Sequence, residues 1–265
     1  MNFSELLGAV RRHPEAVTIP SQWSQGRACF GGLMAALLFE AMRARVAPER
    51  PVRSLAITFV GPAEPEVPIS FEVEVLRQGG AVSSLLGRAV QKGAVVTLIQ
   101  GSFGAPRSSV IDVPALLAAP MKSLEDSPEL PYIEGATPEF IRYLAMRWGV
   151  GGMPFTNTPS RSMGGWVQLR GDVVEEPVTE AHLLALVDAW PPATLPYLNK
   201  PAAGSTLTWT IEFVQPTPKV STLDWCRYCA TIEYSRDGYG HTAAALWTAE
   251  GELLAISRQT VTVFA

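Results

Sequence analysis

A single acidic residue interrupts an apolar segment of this 265-residue chain. The segment 181–190 reads AHLLALVDAW, and its one carboxylate is Asp188. At helical spacing Asp188 shares a face with Leu184 and Val187, so it lies on a surface that should pack against the core. Burial raises the pKa of a carboxylate towards the range useful to a general base. The pattern therefore predicts a general base, or else an acid at the helix end that reaches water or binds a nearby amide.

Other catalytic patterns are missing from the sequence. It has no G-x-S-x-G nucleophile pattern, no H-E-x-x-H pattern and no P-loop. A Ser-His-Asp triad is not expected, because the three histidines are scattered along the chain, at His13, His182 and His241. The run Gly238-x-Gly240-x-x-Ala243 imitates a dinucleotide fingerprint, but it lies in a hairpin pattern rather than between a strand and a helix. We expect no cofactor.

The cysteines fit neither a disulfide framework nor a metal site. There are three of them, Cys29, Cys226 and Cys229, and an odd, low count favours a reducing compartment. Cys226 and Cys229 form a C-x-x-C in a strand-like run, where these two positions face opposite sides. Because no second pair of Cys or His completes a zinc site, we expect no bound metal.

Charge and hydropathy limit the partners. The net charge of −4 gives no reason to expect nucleic acid, and a hydrophobic content of 47% fits a folded protein. The first residues, which include Glu5, lack the apolar core of a signal peptide, and the uncharged apolar run 28–39 is too short to span a bilayer. We expect a cytoplasmic protein that does not contact membranes.

Four arginines lie close together in sequence: Arg43, Arg45, Arg50 and Arg53. They fit the solvated end of a helix, and they also fit a patch that binds phosphate. Both interpretations stay open at this point.

Two stretches of the chain resemble each other, which indicates a repeat. The stretch 54–62 reads SLAITFVGP, and 208–216 reads TWTIEFVQP. Each follows an apolar helical segment and precedes three alternating, strand-like segments. A fixed order of elements that recurs at long spacing predicts two copies of one domain.

The local patterns predict one helix and an antiparallel meander in the first copy. Gly31-Gly32 opens the helix, and strands follow at about 53–61, 68–78, 81–91 and 94–103. In the second copy we expect a helix at about 179–190, with strands at about 140–149, 163–172, 205–214, 221–234, 240–249 and 253–263. A brief strand is also expected within 23–29.

A long helix wrapped by an antiparallel sheet is the layout of the hotdog fold, so the sequence predicts an α+β tandem (double) hotdog. We expect an N-terminal hotdog over 1–104, a Pro-rich linker over 105–138, and a C-terminal hotdog over 139–265 that carries the catalytic residues. Alternating strands at the edges of the units favour association, and the expected assembly is a homodimer, or else a higher homo-oligomer.

Taken together, these elements resemble the acyl-CoA thioesterase II type of double-hotdog enzymes over most of the chain. The first unit carries Gly31-Gly32 before the helix, Ser54-Leu55 running to Phe59 and Pro62, an Arg77-x-Gly turn, and Ser102-Phe103 at a strand end. The second unit carries an Asp late in the helix, a Thr opening the next strand and a Gln in the last strand: Asp188, Thr206 and Gln259.

The resemblance implies hydrolysis of an acyl-CoA thioester to a free acid and CoA. It implies that Asp188 activates a water molecule whose direction Thr206 and Gln259 fix by hydrogen bonds. Thr208 is an alternative to Thr206 if the strand register differs. Gly31 and Gly32 are expected to let the ligand approach a helix start whose amides stabilise the oxyanion, although they could equally serve close helix packing.

Two other functions stay open on the sequence. A hotdog hydratase or dehydratase acting on enoyl thioesters usually combines Asp with His, and no histidine has the matching position here. A non-catalytic protein that binds an acyl chain or CoA is the other alternative. The chain also departs from the family after Thr206, since 207–214 reads LTWTIEFV where members carry a more polar, histidine-containing run.

Overall fold

Ten strands form one antiparallel sheet in the computed structural model, which describes residues 1–171 and 173–264. A separate two-stranded sheet comes first in the chain, with β1 (Ser24–Gln25) and β2 (Ala28–Cys29). The large sheet contains β3 (Val52–Phe59), β4 (Ser70–Gln78), β5 (Val82–Gln91), β6 (Ala94–Gly104), β7 (Leu144–Val150), β8 (Ser162–Leu169), β9 (Ala203–Phe213), β10 (Cys226–Arg236), β11 (Tyr239–Thr248) and β12 (Leu253–Phe264). Their spatial order is β4-β5-β6-β3-β9-β12-β11-β10-β8-β7.

In the described part of the chain, three α-helices pack on this sheet or on each other: α1 (Phe3–Arg12), α2 (Gly31–Arg43) and α3 (Glu180–Asp188). Helix α1 begins with a capping box between Asn2 and Glu5, which satisfies amides at its start. Helix α2 packs against β4, β5 and β6, whereas α3 packs against β8 and β12. Nearly every residue of α2 and α3 is buried, as their apolar sequences predict. Among the described residues, no helix is long and apolar enough to cross a membrane.

The two repeats are continuous with each other through β3 and β9, which pair from Ser54↔Glu212 to Thr58↔Thr208. Helices α2 and α3 also pack together across the same boundary. The central strands of the two units therefore form a shared seam, and the hydrophobic core extends from one unit into the other. Short 3₁₀ turns complete the chain at Ser21–Trp23, Glu139–Tyr143 and Leu195–Tyr197.

The predicted four-stranded meander of the first unit is wrong in one respect. Strands β4, β5 and β6 form a meander, but β3 pairs with β6 and not with β4. The connection between Phe59 and Ser70 explains this order, because it is too long for a tight hairpin and contains Pro62, Pro65 and Pro68. Strand β4 is thereby carried to the edge of the sheet.

Several predicted boundaries also shift. Residues 139–143 form a 3₁₀ turn before β7, and the brief strand predicted within 23–29 is two short strands. The strand predicted to reach 172 ends at Leu169, and residue 172 lies outside the described residues. The Pro-rich stretch 105–138 contains turns but no helix and no long strand.

Candidate active site

Asp188 is the last residue of α3, and its carboxylate keeps only partial contact with solvent. The seven residues before it, from Ala181 to Val187, are all buried. The helix begins at the cap Thr179, whose backbone N–H donates to His182 Nδ1 at 3.0 Å. Pro191 and Pro192 follow the helix and prevent it from continuing. Burial on one side and a helix end on the other place the acid at the edge of the core.

Gln259 on β12 connects Asp188 to Thr206 on β9. Its Nε2 donates to Asp188 Oδ1 at 2.9 Å, and its Oε1 accepts from Thr206 Oγ1 at 3.3 Å. A carboxylate only accepts hydrogen bonds, so the nitrogen of the carboxamide must face Asp188 and the oxygen must face Thr206. The structure thus brings the three predicted side chains into one hydrogen-bonded chain.

A β-bulge decides which threonine joins this chain. The pairing of β9 with β12 steps from Thr208↔Thr260 to Thr206↔Val261, so Leu207 is left as the extra residue. An extra residue reverses the alternation of side chains and turns Thr206 towards the same side as the buried Trp209. Thr208 is exposed instead. The position next to Gln259 belongs to Thr206 and not to Thr208.

Trp209 and Ser257, which the sequence analysis did not single out, form a hydrogen bond next to Gln259. Trp209 pairs with Gln259 in the sheet, and its Nε1 donates to Ser257 Oγ at 2.9 Å. Both side chains are almost completely buried. This bond fixes two neighbouring strands at the level of the carboxamide. Only the strand register identifies the pair, because neither residue stands out in its local sequence.

Gly31 and Gly32, at the start of α2, lie directly against Asp188. A Cβ added to Gly31 would be 2.8 Å from Asp188 Oδ2 and 3.1 Å from Phe59 Cζ, and one added to Gly32 would be 3.0 Å from Asp188 Cβ. The N-cap of α2, Phe30, has no side chain to bond the first amides of the helix, and the Gly32 N–H donates to Asp188 instead. The glycines therefore allow the positive end of one helix to meet the carboxylate at the end of another.

The surroundings of Asp188 raise its pKa from 3.8 to about 7. Burial is the largest cause, because the ionised form loses solvation. The donors Gln259 and Gly32 act in the opposite direction, since they stabilise the carboxylate. Tyr228, buried nearby and stacked on Trp190 with ring centroids 5.2 Å apart, has its pKa raised by burial and by the charge of Asp188. A carboxylate in this state is ionised in part at neutral pH and can accept a proton.

Asp188, Thr206 and Gln259, called the polar trio below, have no polar counterparts in the first repeat at the two strand positions. The first repeat has the same bulge, since β3 and β6 step from Leu55↔Gly101 and Ser54↔Ser102 to Val52↔Phe103. Aligning the two bulges places Val52 where Thr206 stands and Gly101 where Gln259 stands. A Cβ added to Gly101 would be 2.8 Å from Met42 Cε and 2.9 Å from Phe103 Cε2, so a side chain there would have to displace these buried groups. The trio belongs to the second repeat alone.

The remaining predicted features lie outside this site. Cys226 is buried, Cys229 is half-buried, and they alternate along β10 on opposite faces. The described residues hold no group of His, Cys, Asp and Glu that could bind a metal. His182 is buried at the start of α3 with its ring centroid 5.1 Å from that of Phe3, and burial lowers its pKa to about 4.

The arginine cluster divides into different roles. Arg43 donates to the carbonyl oxygens of Val46 and Ala47, where it closes the chain after α2. Arg50 bonds Ser83 Oγ and the carbonyl of Gly80, and Arg45 is exposed. Arg53 lines a groove. The interpretation as a solvated helix end therefore applies to part of the cluster.

Two family models match the chain. The model described as "Acyl-CoA thioesterase N-terminal domain" matches residues 19–104, and the one described as "Acyl-CoA thioesterase C-terminal domain" matches residues 124–263. The second match alone spans more than half of the chain. Among curated proteins, none matches this sequence.

Solved structures share the fold. A hot dog fold protein of unknown function from Alicyclobacillus acidocaldarius is 23% identical, with a TM-score of 0.79 over 94% of this chain and 92% of that chain. An acyl-CoA thioesterase II from Mycobacterium marinum is 19% identical, with a TM-score of 0.75 over 99% and 98%. The predicted tandem hotdog is thereby confirmed. The chain belongs to the acyl-CoA thioesterase family, and it is a thioester hydrolase.

Proposed function

We propose that this protein hydrolyses acyl-CoA thioesters with Asp188 as general base and with Thr206 and Gln259 as the groups that orient the attacking water. The observation that carries the proposal is the hydrogen-bonded chain from Thr206 Oγ1 through Gln259 to Asp188 Oδ1 at the amino end of α2. An acid with a pKa of about 7, a hydroxyl and a carboxamide meet there. These groups suit activated water as the nucleophile.

The proposed reaction has two steps. The oxygen of a water molecule adds to the thioester carbonyl carbon while one of its protons passes to Asp188. The carbon–sulfur bond then breaks, and the departing sulfur receives the proton from Asp188. The products are a carboxylic acid and the free thiol of CoA.

Gln259 and Thr206 determine where the water is held. The hydroxyl proton of Thr206 is engaged by Gln259 Oε1, so the lone pairs of Thr206 Oγ1 remain to accept a hydrogen bond from the water. Gln259 Nε2 holds Asp188 through Oδ1, and the carboxylate, which also accepts the Gly32 N–H, has further lone pairs on Oδ2 to accept the second hydrogen of the water. A water that donates to both sites has one lone pair directed away from them, and this lone pair attacks.

The start of α2 supplies the positive potential for the oxyanion. The N-cap Phe30 provides no side-chain cap for its first amides, and because the Gly32 N–H bonds Asp188, the other amides of this first turn are the ones left for the thioester. Negative charge that develops on the carbonyl oxygen is stabilised by such amides and by the helix dipole. Gly31 and Gly32 have no side chains that would keep the thioester carbonyl from reaching these amides.

Release of free thiol from a panel of acyl-CoAs tests the proposal. We expect Asp188→Asn to lower kcat by about 10²–10⁴-fold, the range typical of general-base catalysis. The matched control is Asp112→Asn, an exposed acid in the stretch between the repeats, and it should hydrolyse at the wild-type rate. Circular dichroism checks that both variants are folded.

The same assay distinguishes the proposed hydrolase from a non-catalytic binding protein and from a hydratase. Full activity in Asp188→Asn would refute the assignment of the base. Binding of acyl-CoA without thiol release would support a non-catalytic binding protein. A hydratase requires a histidine beside the acid, and the ring of His182 faces Phe3 at the far end of α3.

A further inference from the structure

A groove in the described part of the chain lies far from Asp188. It has a volume of about 1100 Å³ and lies between the start of β3, the end of β6 and the residues after β9. Its lining includes Arg53, which lies at the start of β3. The polar trio lies near the other end of the β3–β9 pairing, where Thr58 pairs with Thr208. At about 3.3 Å per residue, roughly 20 Å of strand separates the two ends. The groove is a second site and not an extension of the first.

The groove carries positive charge without a matching acid. Two of the described lining residues are arginines, Arg53 and Arg107, and none of the described lining residues is Asp or Glu. Among the described residues, neither guanidinium takes part in an ion pair. Arg53 uses its Nε to bond the carbonyl of Gly104 at 2.9 Å, which holds the side chain while its two terminal nitrogens stay available. Gln215, also in the lining, donates to Glu180, which is not a lining residue.

The rest of the lining combines hydroxyl groups with apolar surface. Ser102 and Ser108 supply hydroxyl groups, whereas the hydroxyl of Ser109 donates to the carbonyl of Ile111. Val82, Pro106 and Pro216 supply apolar contacts. Arginine pairs with hydroxyl neighbours are the arrangement that proteins use for phosphate oxygens. Prolines and Val82 provide a surface for a ring or a short chain. The ligand that matches this lining is anionic at one end and apolar at the other.

The repeat explains why a site exists at this place. Aligning the bulges of the two repeats places Arg53 at the position of Leu207 and Ser102 at that of Thr260. The groove therefore lies in the first repeat at the position that corresponds, in the second repeat, to the surface next to the polar trio. The first repeat has Val52 and Gly101 in place of the trio but keeps a cavity, and it has an arginine where the second repeat has a leucine.

We propose that this groove binds an amphipathic organic phosphate, with the phosphate held by Arg53 and Arg107, and that it does so without catalysing a reaction. The ligand binds independently of the hydrolytic site, because none of the groups that hold it belongs to the polar trio. The proposal thus goes beyond the hydrolysis and does not depend on the assignment of Asp188.

Isothermal titration calorimetry with adenosine 3′,5′-bisphosphate tests the proposal on the full chain at low salt. We expect one binding event that weakens as NaCl is added, because two guanidinium groups contribute. Arg107→Gln should weaken the binding by about tenfold or more, in line with the loss of a charge-assisted hydrogen bond. Arg53→Gln should do the same. Arg45→Gln, an exposed arginine outside the groove, is the matched control and should bind as the wild type does.

Three outcomes would overturn the proposal. The first is the absence of binding to the wild type, and the second is equal binding by the wild type and Arg107→Gln. The third is binding of decanoate in the groove without binding of the bisphosphate, which would assign the site to carboxylates. The exposed side chain of Arg107 has no hydrogen bond within the described part of the chain, so Arg107→Gln stays informative even if Arg53→Gln, which loses its bond to Gly104, does not fold. Asp188→Asn should bind the bisphosphate as the wild type does, which keeps this test separate from that of the hydrolytic site.

Discussion

Asp188 experiences opposing influences that set the pH at which it can act. Burial raises its pKa to about 7, and the hydrogen bond from Gln259 limits the rise. A general base works only when ionised, so kcat/KM should increase about tenfold per pH unit below pH 7 and level off above it. In Gln259→Ala the carboxylate loses a donor, so this acidic limb should move to higher pH. Measurement of kcat/KM from pH 5 to 9 checks both expectations.

Gln100→Ala, a substitution in the first repeat, is the control for this pH profile. Gln100 lies on β6 with its side chain exposed, and Gln100→Ala should leave the pH profile unchanged. An unchanged limb in Gln259→Ala would show that the carboxamide does not stabilise the ionised acid. A limb that moves to lower pH would contradict the assigned direction of the hydrogen bond.

The raised pKa of Asp188 also predicts a cost in stability. The folded chain holds this proton more tightly than the unfolded chain does, so stability falls as pH rises from about 4 to about 7. A shift of this size corresponds to at most about 4 kcal/mol, and the partial exposure of the carboxylate makes the effect smaller. Asp188→Asn cannot ionise and should have a higher Tm than the wild type at pH 8. The difference should vanish near pH 4, and a Tm difference independent of pH would contradict this account.

The sequence identified the three polar residues by two different routes. Asp188 stands out locally, because it is the one acid in an apolar helix. Thr206 and Gln259 are ordinary strand residues, and only the resemblance to a family selected them. Trp209 and Ser257 escaped notice, since their hydrogen bond joins strands whose register no local pattern reveals.

At the scale of elements, the bulge in β9 predicts different behaviour for two threonines that are two residues apart. Thr206 bonds Gln259, whereas Thr208 is exposed. Valine has nearly the same shape as threonine but no hydroxyl. Thr206→Val should therefore lower kcat by about tenfold, the worth of one hydrogen bond, and Thr208→Val should not change it. Steady-state thiol release measures both variants, and equal effects would mean that the bulge does not direct the side chain.

Element types were easier to predict than element pairing. The glycine turns Lys92-Gly93, Asp237-Gly238 and Glu250-Gly251 marked hairpins that the sheet contains. Such local signals did not predict that β3 pairs with β6 and β9. This pairing depends on contacts between residues far apart in sequence, and on a long connection whose path the local pattern does not specify.

At the scale of the whole molecule, the seam between β3 and β9 should make the two repeats unfold together. Met42 is fully buried in the first repeat, and Met42→Ala should destabilise the fold by about 2–5 kcal/mol. We expect Tm to fall by roughly 4 °C or more. Tryptophan fluorescence reports mainly on the second repeat, because six of the seven tryptophans follow residue 147.

Comparison of two signals measures this coupling. Fluorescence and far-UV circular dichroism should give the same lowered midpoint for Met42→Ala. Two separate transitions, with an unshifted fluorescence midpoint, would show that the repeats are thermodynamically independent. The expected homodimer and cytoplasmic location stay predictions of the sequence.

The contact of Gly31 and Gly32 with Asp188 joins parts of the chain that a ribosome makes at very different times. The amides at the start of α2 are synthesised early, the carboxylate much later, and Gln259 only with β12. With Asp188 as the proposed base, a nascent chain with one finished repeat is expected to lack a competent hydrolytic centre. Thioester cleavage would then report complete assembly of both halves, and a truncated or half-folded product should be inert rather than weakly active.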